Sequence, residues 1–340
     1  VYVPRYEYKI WETGKSATGK EQEIEINLQN KYDNKSSGTQ IGEYLTHPAF
    51  TFGDTELNGI WVGKFETTGT ADSPTIKPNV TSLRNQNVAT QFQTSLKFSG
   101  GTLSDSNVTF TGNDIYGLNN KTDSHMMKNS EWGAAAYLSH SKYGINKEIR
   151  INNYWDSSGN FLTGCGASTA DESRSSTCGI VYGNTLEYPQ STTGNILGIF
   201  DMSGGANEYV MSVFANSDGE LWSGASTTRN SGFTGLVGTS GDLYTGINFP
   251  DNKYYDIYKS SSGTSISILT ACNGNICYGH SLSETYNWYK DNISFICADY
   301  PWLPRSGYAD RDAGAGIFST NFIDGGTYSY VGFRSVLTLN

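Results

Sequence analysis

The sequence predicts an α+β or β-rich single domain with two helices, few regular strands and many long loops. Charged residues make up only 16% of the chain, below the roughly 25% that is typical of soluble proteins. Glycine contributes 39 of the 340 residues. Short apolar segments are separated by long stretches rich in Gly, Ser, Thr and Asn. This pattern is typical of short strands that are joined by extended connections.

Strands are predicted at both ends of the chain and near residue 60. The first is VYVPRYEYKIWE, where aromatic or apolar residues alternate with polar ones. Residues 13–45 are polar and are predicted to form a hairpin or a long loop. A second strand is predicted over Ile60–Thr67, and residues 70–82, which contain prolines, are predicted to form a linker. The last strand is predicted in VGFRSVLTL, at residues 331–339.

Two helices are predicted, over residues 83–98 and 123–144. In both, apolar residues recur at helical spacing. Asp123 or Ser124 is predicted to cap the second helix, and Gly144 to end it. The apolar residues on the predicted faces are Leu83, Val88, Phe92 and Leu96 in the first helix, and Met126, Met127, Trp132, Ala135, Ala136, Tyr137 and Leu138 in the second.

The domain prediction is one unit over residues 1–340 with three insertions, at about 13–45, 152–195 and 215–270. Loops of this length in a compact domain often face a ligand. No run of about 18 apolar residues occurs, so no membrane span and no direct membrane insertion are predicted. Val1 is not an initiator methionine, and we expect that a segment was removed before it.

The charge balance excludes some partners. The chain carries 33 acidic and 23 basic residues, for a formal net charge of -10. Nucleic acid is therefore not expected as a partner, since phosphate backbones require basic surfaces. An anionic membrane surface is disfavoured for the same reason.

The five cysteines include two pairs that are close in sequence. Cys165 and Cys178 flank one Ser/Thr-rich loop, and Cys272 and Cys277 flank a short turn. Both pairs are predicted to form disulfides, which favours an oxidising compartment, while free thiols remain the alternative. Cys297 lies between apolar residues and is predicted to be a buried thiol. Zinc is disfavoured, because no CxxC or HxxxH spacing occurs.

One segment carries a family resemblance. Residues 194–210, GNILGIFDMSGGANEYV, resemble the signature of the formylglycine-generating-enzyme or sulfatase-modifying-factor family. The segments GIWVGKFETTG (59–69), SEWGAAAYL (130–138), PWLPRSGY (301–308) and VGFRSVL (331–337) are similar to further landmarks of that family, in the same order. The signature matches at Asn195, Gly198, Asp201, Met202, Gly204 and Glu208.

The resemblance implies the C-type-lectin fold, with two helices, a small twisted antiparallel sheet and much irregular backbone. Asp201 and Glu208 are interpreted as structural capping groups, and Arg334 as a buried structural hydrogen-bond donor. The aromatic residues expected in the core are Trp61, Trp132, Phe200, Trp302 and Phe333.

The same resemblance argues against catalysis. Oxidases of the family use a pair of copper-binding cysteines near the C-terminal arginine-rich segment, but residues 305–337 contain no cysteine. Catalytic residues are therefore not predicted, and the chain is not expected to be an enzyme. Gly205 and Asn207 replace the family's Asn and Trp, and losing the Asn oxygen removes a hard ligand for calcium. No cofactor is expected. Whether the chain binds a metal, such as a structural calcium, is left open.

The C-terminal segment resembles the variable proteins of diversity-generating retroelements and related bacterial and phage surface proteins. This resemblance implies a diversified ligand-binding segment within residues 302–337 and a role as a receptor or adhesin. The implied partner is a protein or a glycan on a target cell or particle, and the implied location is extracellular, on a cell surface or phage particle. The residues implied to bind ligand are Ser306, Tyr308, Ala309, Asp310, Arg311, Asp312, Ser319, Asn321, Ile323, Thr327, Ser329 and Val331.

Two other functions remain as alternatives. The first is a diverged formylglycine-generating-type oxidase, which requires a metal or redox-active thiols near Arg305 and Arg334. The second is a structural subunit, either pilin-like or part of a phage tail decoration. Tyr308, Tyr328 and Tyr330 are interpreted either as contact residues or as ordinary packing residues.

Overall fold

The computed structural model describes residues 1–10, 19–38, 42–170, 172–221, 228–234, 246–264, 267–270, 277–307, 309 and 314–339. The described chain is mixed α and β, with two helices and several small sheets, which confirms that part of the prediction. The helices are α1 (Val88–Leu96) and α2 (Asn129–Ser139). The strands are β1 (Tyr2–Pro4), β2 (Tyr6–Lys9), β3 (Glu25–Leu28), β4 (Leu45–Thr46), β5 (Thr51–Phe52), β6 (Thr55–Glu56), β7 (Gly59–Val62), β8 (Thr68–Gly69), β9 (Pro74–Thr75), β10 (Gly101–Ser104), β11 (Asn107–Phe110), β12 (Thr122–Met126), β13 (Asn207–Asn216), β14 (Asp256–Ser260), β15 (Trp302–Arg305), β16 (Val331–Phe333) and β17 (Ser335–Leu339).

The first of the two larger sheets has the strand order β1-β7-β17-β12 and is antiparallel throughout. Its register places Tyr2 opposite Trp61, and Trp61 opposite Leu337. Strands from both ends of the sequence therefore lie in the same sheet, on either side of β7. The side chain of Trp61 is 47% exposed and packs on Tyr2, with ring centroids 5.0 Å apart. The prediction that Trp61 belongs to the core is therefore wrong, because its position in β7 faces outward.

The second larger sheet is built around β13. This strand pairs in parallel with β14 and β16, and antiparallel with β15. Its ten residues are buried apart from Asn216, which is half-buried. Burial of consecutive residues in this way is typical of a strand that is covered on both faces. This sheet is mixed, so the antiparallel arrangement that the resemblance implied holds for the first sheet and not for the second.

The predicted strand at 331–339 is two strands in different sheets. β16 belongs to the second sheet and β17 to the first, and Arg334 alone separates them. Arg334 is fully buried. The chain passes from one sheet to the other at this residue, so Arg334 joins the two sheets directly and its guanidinium lies buried at the junction.

The first predicted helix is present as α1, which begins later than predicted. The side chain of Asn87 caps it by accepting a hydrogen bond from the Thr90 N–H at 2.9 Å. Residues 97–99 continue as a short 3-10 turn, and Gly100 ends it in the left-handed region, with φ 66°. Buried residues of α1 include Val88, Phe92 and Leu96, as the spacing predicted.

The second predicted helix begins later than predicted, because residues 122–126 form β12. Asp123 and Ser124 therefore do not cap it. Glu131 accepts a hydrogen bond from the backbone N–H of Lys128 at 2.8 Å. It thereby provides a partner for a backbone N–H at the start of α2, which has none within the helix. The helix ends at Ser139, so Gly144 does not end it.

β12 is a buried strand without the apolar residues that would predict one, because its polar side chains pair with other buried groups. His125 lies between Asp123 and Glu131, at 2.9 Å and 3.0 Å. Burial lowers the pKa of His125, but the two carboxylates outweigh it and raise that pKa to about 9. Tyr254 donates to Asp123 at 2.7 Å. These groups satisfy one another, so a strand with polar side chains is stable inside the protein.

The remaining predicted segments differ in detail. The first predicted strand forms β1 and β2, and β2 pairs with β3, which lies in the 13–45 segment. The linker at 70–82 contains β9, which pairs with β8. Within the three insertions, residues 13–18, 39–41, 171, 222–227, 235–245 and 265–266 lie outside the described residues. Neither α1 nor α2 has the length and apolar character that a bilayer crossing requires, and the described residues contain no other helix that has them.

The buried aromatic residues hold the two sheets and the loops together. Trp132, Trp302 and Phe333 are fully buried, and Phe200 is buried as well. Trp302 stacks near Phe249 and Phe233, with centroid separations of 5.8 Å and 5.9 Å. The core assignment is right for these four predicted residues.

Candidate functional site

The C-terminal segment is attached to the turn that carries the family resemblance. The hydroxyl of Ser306 donates to the carbonyl of Gly204 at 2.6 Å. The Gly204 N–H donates to the carbonyl of Ala315 at 2.7 Å, and the Ala309 N–H donates to that of Gly205 at 3.1 Å. These bonds fix the described parts of residues 306–315 against the start of β13.

A buried carboxyl group holds the next part of the segment. Asp291 accepts a hydrogen bond from the Phe318 N–H at 2.8 Å. A Cβ at Gly316 would lie 2.1 Å from the Asp291 Oδ1 atom, so the close approach requires glycine. Burial raises the pKa of Asp291 to about 8. The carboxyl is therefore mostly protonated at neutral pH and adds little charge beneath the surface.

Four of the residues predicted to bind ligand are buried. Their relative exposed areas are 0% for Ser306 and Val331 and 1% for Ala309 and Ser319. Ser306 uses its hydroxyl to bond Gly204, and Val331 lies in β16 against β13. A side chain with no exposed area cannot contact a ligand at the surface. The structure therefore corrects the prediction for these four residues.

The other predicted residues divide into two groups. Asn321 and Ile323 are half-buried, and Thr327 and Ser329 are exposed. For these four residues, ligand binding stays a prediction. Tyr308, Asp310, Arg311 and Asp312 lie outside the described residues.

Residues 320–323, the edge segment, extend the second sheet beyond β15. The Trp302 N–H donates to the Ile323 carbonyl at 3.0 Å, and the Ile323 N–H donates back at 3.1 Å. The Phe322 side chain is 37% exposed and contacts Tyr300, which is 39% exposed, with ring centroids 5.3 Å apart. The edge segment thus presents an aromatic pair.

Residues 324–330, the crossing loop, lead from the edge segment back to β16. Asp324 organises its first half. One carboxylate oxygen accepts from the Gly326 N–H at 2.9 Å and from the Tyr328 hydroxyl at 2.8 Å. The other accepts from the Asn230 side-chain amide at 2.7 Å. Three donors from three residues fix the conformation of this turn.

The backbone of the crossing loop is held from below. The Tyr209 hydroxyl donates to the Gly326 carbonyl at 3.1 Å, and the Asn207 N–H donates to the Tyr330 carbonyl at 2.9 Å. The rings of Tyr328 and Tyr330 contact each other, with centroids 5.2 Å apart. Burial and the hydrogen bond to Asp324 raise the pKa of Tyr328. Both tyrosines are half-buried, so they combine packing with partial exposure.

An ion pair lies between the two sheets, close to the start of β13. Arg334 binds Glu208 in a bidentate manner, with N–O distances of 2.6 Å and 3.0 Å. It also donates to the carbonyls of Gly63 at 2.7 Å and Phe200 at 2.9 Å. Burial raises the pKa of Glu208, and the Arg334 guanidinium opposes that rise. The interpretation of Arg334 as a buried structural donor agrees with this geometry.

In the turn at 201–208, the carboxylate of Asp201 is bonded to protein donors. Asp201 accepts hydrogen bonds from the Asn152 amide and the Gly164 N–H, both at 2.8 Å. A Cβ at Gly205 would lie 2.3 Å from Glu66 Oε1, which shows how closely that carboxylate approaches the turn. The oxygens of Asp201 thus face protein donors. Among the described residues, no group of three or more His, Cys, Asp or Glu is arranged to hold a metal.

The cysteines are arranged as follows. Cys165 and Cys178 form a disulfide. Cys277 is also disulfide-bonded, while Cys272 lies outside the described residues. Cys297 is a free thiol and is half-buried, so it is less buried than the sequence predicted.

A separate apolar groove of about 250 Å³ lies next to α2 and β1. Tyr2, Leu28, Leu138, Tyr143 and Leu197 are among the residues that line it. None of the residues predicted to bind ligand borders this groove. It is therefore not part of the candidate site.

Sequence reasoning missed several residues near the candidate site. Tyr300 and Phe322 became apparent only from their exposure. Arg84 bonds to Ser329, Trp155 packs against the cluster that contains Ala309, and Arg174 lies over Trp155. The sequence placed Trp155 and Arg174 in the insertion at 152–195, but no local pattern marks them or Arg84 individually, because their position depends on long-range packing.

Comparisons with known proteins give little support beyond the geometry. No protein-family model matches the chain. No curated protein matches it either. Among solved structures, the chain is similar to one named Treponema denticola variable protein 1, with 13% sequence identity and a TM-score of 0.35. The match covers 92% of this chain and 94% of the other. A TM-score this low does not establish a shared fold.

Proposed function

We propose that the chain is a non-enzymatic binding protein that recognises a protein partner through its C-terminal segment. The proposal includes a C-type-lectin scaffold, as in the variable proteins of diversity-generating retroelements, and an extracellular location on a cell surface or phage particle. These finer points rest on the motif resemblance given above.

The observation that carries the proposal is that the crossing loop has a hydrogen-bonded backbone and exposed side chains. Its backbone and its Asp324 carboxylate are bonded to Tyr209, Asn207 and Asn230. Thr327 and Ser329 are exposed on the same loop. A surface whose backbone is fixed can change side chains without refolding, as antibody loops on a rigid scaffold do.

A protein partner is favoured over a glycan by the kind of side chain present. Tyrosines at 300, 328 and 330 and a phenylalanine at 322 are exposed or half-buried here. Aromatic residues, tyrosine above all, are enriched at the centres of protein interfaces. The low charge of the chain also suits a polar, aromatic contact surface.

Sequencing the gene from independent isolates tests the diversification. We expect substitutions to concentrate at the exposed and half-buried positions Asn321, Ile323, Thr327 and Ser329. The buried positions Ser306, Ser319 and Val331 should vary least. An even spread of substitutions over the chain would contradict a variable ligand-binding segment.

Selection from a random-sequence peptide library displayed on phage tests binding itself. Peptides enriched on the wild-type protein are then assayed on the double variant Thr327→Arg, Ser329→Arg. We expect loss of binding, because two large charged side chains would cover the crossing loop. The control is Thr102→Arg with Ser104→Arg, two exposed positions on the separate β10–β11 hairpin. If every enriched peptide binds the double variant as well as the wild type, the proposed surface is wrong.

A further inference from the structure

The loop at residues 152–182, the braced loop, lies against the candidate site and is held together by bonds between its own residues. The backbone N–H of Trp155 donates to the Ser175 carbonyl at 2.8 Å, and the backbone N–H of Ser175 donates to the Asn153 carbonyl at 2.9 Å. The Asn153 side chain donates to the Ser173 carbonyl at 2.7 Å. These bonds join the two arms of the loop, so Trp155 and the segment around residue 174 hold a fixed relative position.

A second set of bonds closes the same loop further along. The disulfide joins Cys165 to Cys178. Gly166 and Ile180 exchange two backbone hydrogen bonds, at 3.0 Å and 2.8 Å. Although the loop contains no regular strand or helix in its described residues, it is cross-linked covalently and by backbone pairing. A cross-linked loop loses less conformational entropy when it binds a partner.

Trp155 connects this loop to the C-terminal segment through a small buried cluster. Its ring lies 5.4 Å from that of Phe161. Phe161 and Ala309 belong to the cluster, and both Trp155 and Tyr330 pack against it. The guanidinium of Arg174 lies over the Trp155 ring at 5.0 Å. Trp155 is half-buried and Arg174 is exposed, so this pair presents surface at the edge of the cluster against which Tyr330 also packs.

Arg84 links the two loops by hydrogen bonds. It donates to the Gly159 carbonyl at 2.8 Å and to the Asn160 side chain at 3.0 Å. It also donates to the carbonyl of Ser329, and it lies over the Phe161 ring at 5.1 Å. One buried cation therefore binds the backbone of the 152–182 loop and that of the crossing loop.

We infer that Trp155 and Arg174 form a fixed part of the recognition surface, so that a protein partner contacts them together with the crossing loop. This inference rests on the proposed function and deepens it. Trp, Tyr and Arg are the residues that most often dominate binding energy at protein interfaces. The braced loop supplies constant anchoring side chains, and the crossing loop supplies exchangeable ones.

The test uses peptides that bind the wild-type protein and fail to bind the Thr327→Arg, Ser329→Arg variant. Their affinities are measured on Trp155→Ala and on Arg174→Ala. We expect the dissociation constant to rise about tenfold or more for the first and about threefold to tenfold for the second. Trp155→Phe should retain more affinity than Trp155→Ala, because it keeps an aromatic surface over the cluster.

Two controls match the substitutions. Trp61→Ala removes an exposed tryptophan from the first sheet, and Lys142→Ala removes an exposed cation that follows α2. Both should leave peptide affinity unchanged. Thermal unfolding and circular dichroism show whether each variant keeps the native fold, and Arg174→Ala serves as the readout if Trp155→Ala does not.

The outcomes separate the two proposals. If the peptides bind Trp155→Ala and Arg174→Ala with wild-type affinity, the inference about the braced loop is overturned while the proposed function stands. If no selected peptide depends on Thr327 and Ser329, the proposed function fails and the inference falls with it. Binding to immobilised glycans but to no peptide would overturn the assignment of a protein partner.

Discussion

The segment 302–319 and the crossing loop belong to the same stretch of sequence, but they use their polar groups differently. In segment 302–319, side chains bond to the protein interior, as Ser306 does to Gly204 and Arg305 to Ser281. In the crossing loop, the protein binds backbone carbonyls, as Arg84 does at Ser329. Side chains at Thr327 and Ser329 consequently remain exposed.

Two serines make the difference concrete. Ser306 is fully buried, adopts a positive φ of 76° and donates its hydroxyl to a carbonyl. Ser329 is exposed, and its backbone carbonyl accepts a hydrogen bond from Arg84. The residue type is the same, so the position of the backbone decides whether a side chain serves stability or display.

The largest expected effect comes from breaking the ion pair that joins the sheets. Glu208→Ala leaves the buried Arg334 guanidinium without its carboxylate, and we expect the free energy of unfolding to fall by about 3–5 kcal/mol. Urea unfolding followed by tryptophan fluorescence measures it. Glu187→Ala, at an exposed position, should stay within about 0.5 kcal/mol. A loss below about 1 kcal/mol for Glu208→Ala would show that the pair does not support the framework.

Removing the disulfide of the braced loop should have the next largest effect. Its cysteines are 13 residues apart, and opening a loop of that size costs about 3 kcal/mol in the chain-entropy model. The double variant Cys165→Ser, Cys178→Ser is compared with wild type by urea unfolding. Cys297→Ser alters a free thiol and should cost about 1 kcal/mol or less. Equal stability of both variants would mean that the backbone pairing alone braces the loop.

A buried carboxyl group should make stability depend on pH. Glu284 accepts hydrogen bonds from Tyr8 and Tyr137, both at 2.7 Å, and from the Gly279 N–H at 2.6 Å. Burial raises its pKa from 4.5 to about 7 and outweighs these bonds. The folded state therefore holds a proton that the unfolded state has released. Stability is present below the unfolded pKa and is lost as the pH rises through about 7.

Glu284→Gln isolates this contribution. Between about pH 5 and pH 8, ionisation of Glu284 should lower the unfolding free energy of the wild type by about 2 kcal/mol. The variant should not show this decrease. Urea unfolding at both pH values measures the difference between the two proteins. Glu187→Gln should keep the wild-type slope. The same slope in Glu284→Gln would contradict the raised pKa of Glu284.

The smallest effect is expected at the crossing loop. Ser329→Ala and Thr327→Ala should change the free energy of unfolding by no more than about 0.5 kcal/mol, since both side chains are exposed. Ser306→Ala removes a buried hydrogen bond and should cost about 1–3 kcal/mol. Thermal and urea unfolding of the three variants compare the regions directly. Equal losses at Ser306 and Ser329 would remove the distinction between them.

Part of the fold was predictable because it depends on local patterns. The mixed α and β class, α1 and most of α2 follow from the apolar residues and their spacing. Residues 123–126, which form most of β12, were predicted as helix, because His125, Asp123 and Glu131 satisfy one another only once they are folded. The division of residues 331–339 into β16 and β17 was also missed, since it depends on Arg334 reaching Glu208 across the chain.

The candidate site was predictable only as a segment. Residue order pointed to 302–337, but alternation of small and polar residues did not distinguish Ser306 and Ser319 from Thr327 and Ser329. Exposure depends on hydrogen bonds to Gly204 and β13, which are more than a hundred residues away in sequence. Trp155 and Arg174 lay outside the predicted segment entirely.

The sequence by itself determined the class of the fold, the aromatic core around Trp132 and Trp302, and the absence of a cysteine pair in residues 305–337. These properties follow from composition and local spacing. Only the tertiary structure decided which side chains of the C-terminal segment are exposed and which distant loop lies beside them. The physical reason is that burial and long-range hydrogen bonds are set by contacts between residues far apart in sequence, as Arg84 shows by binding both Gly159 and Ser329.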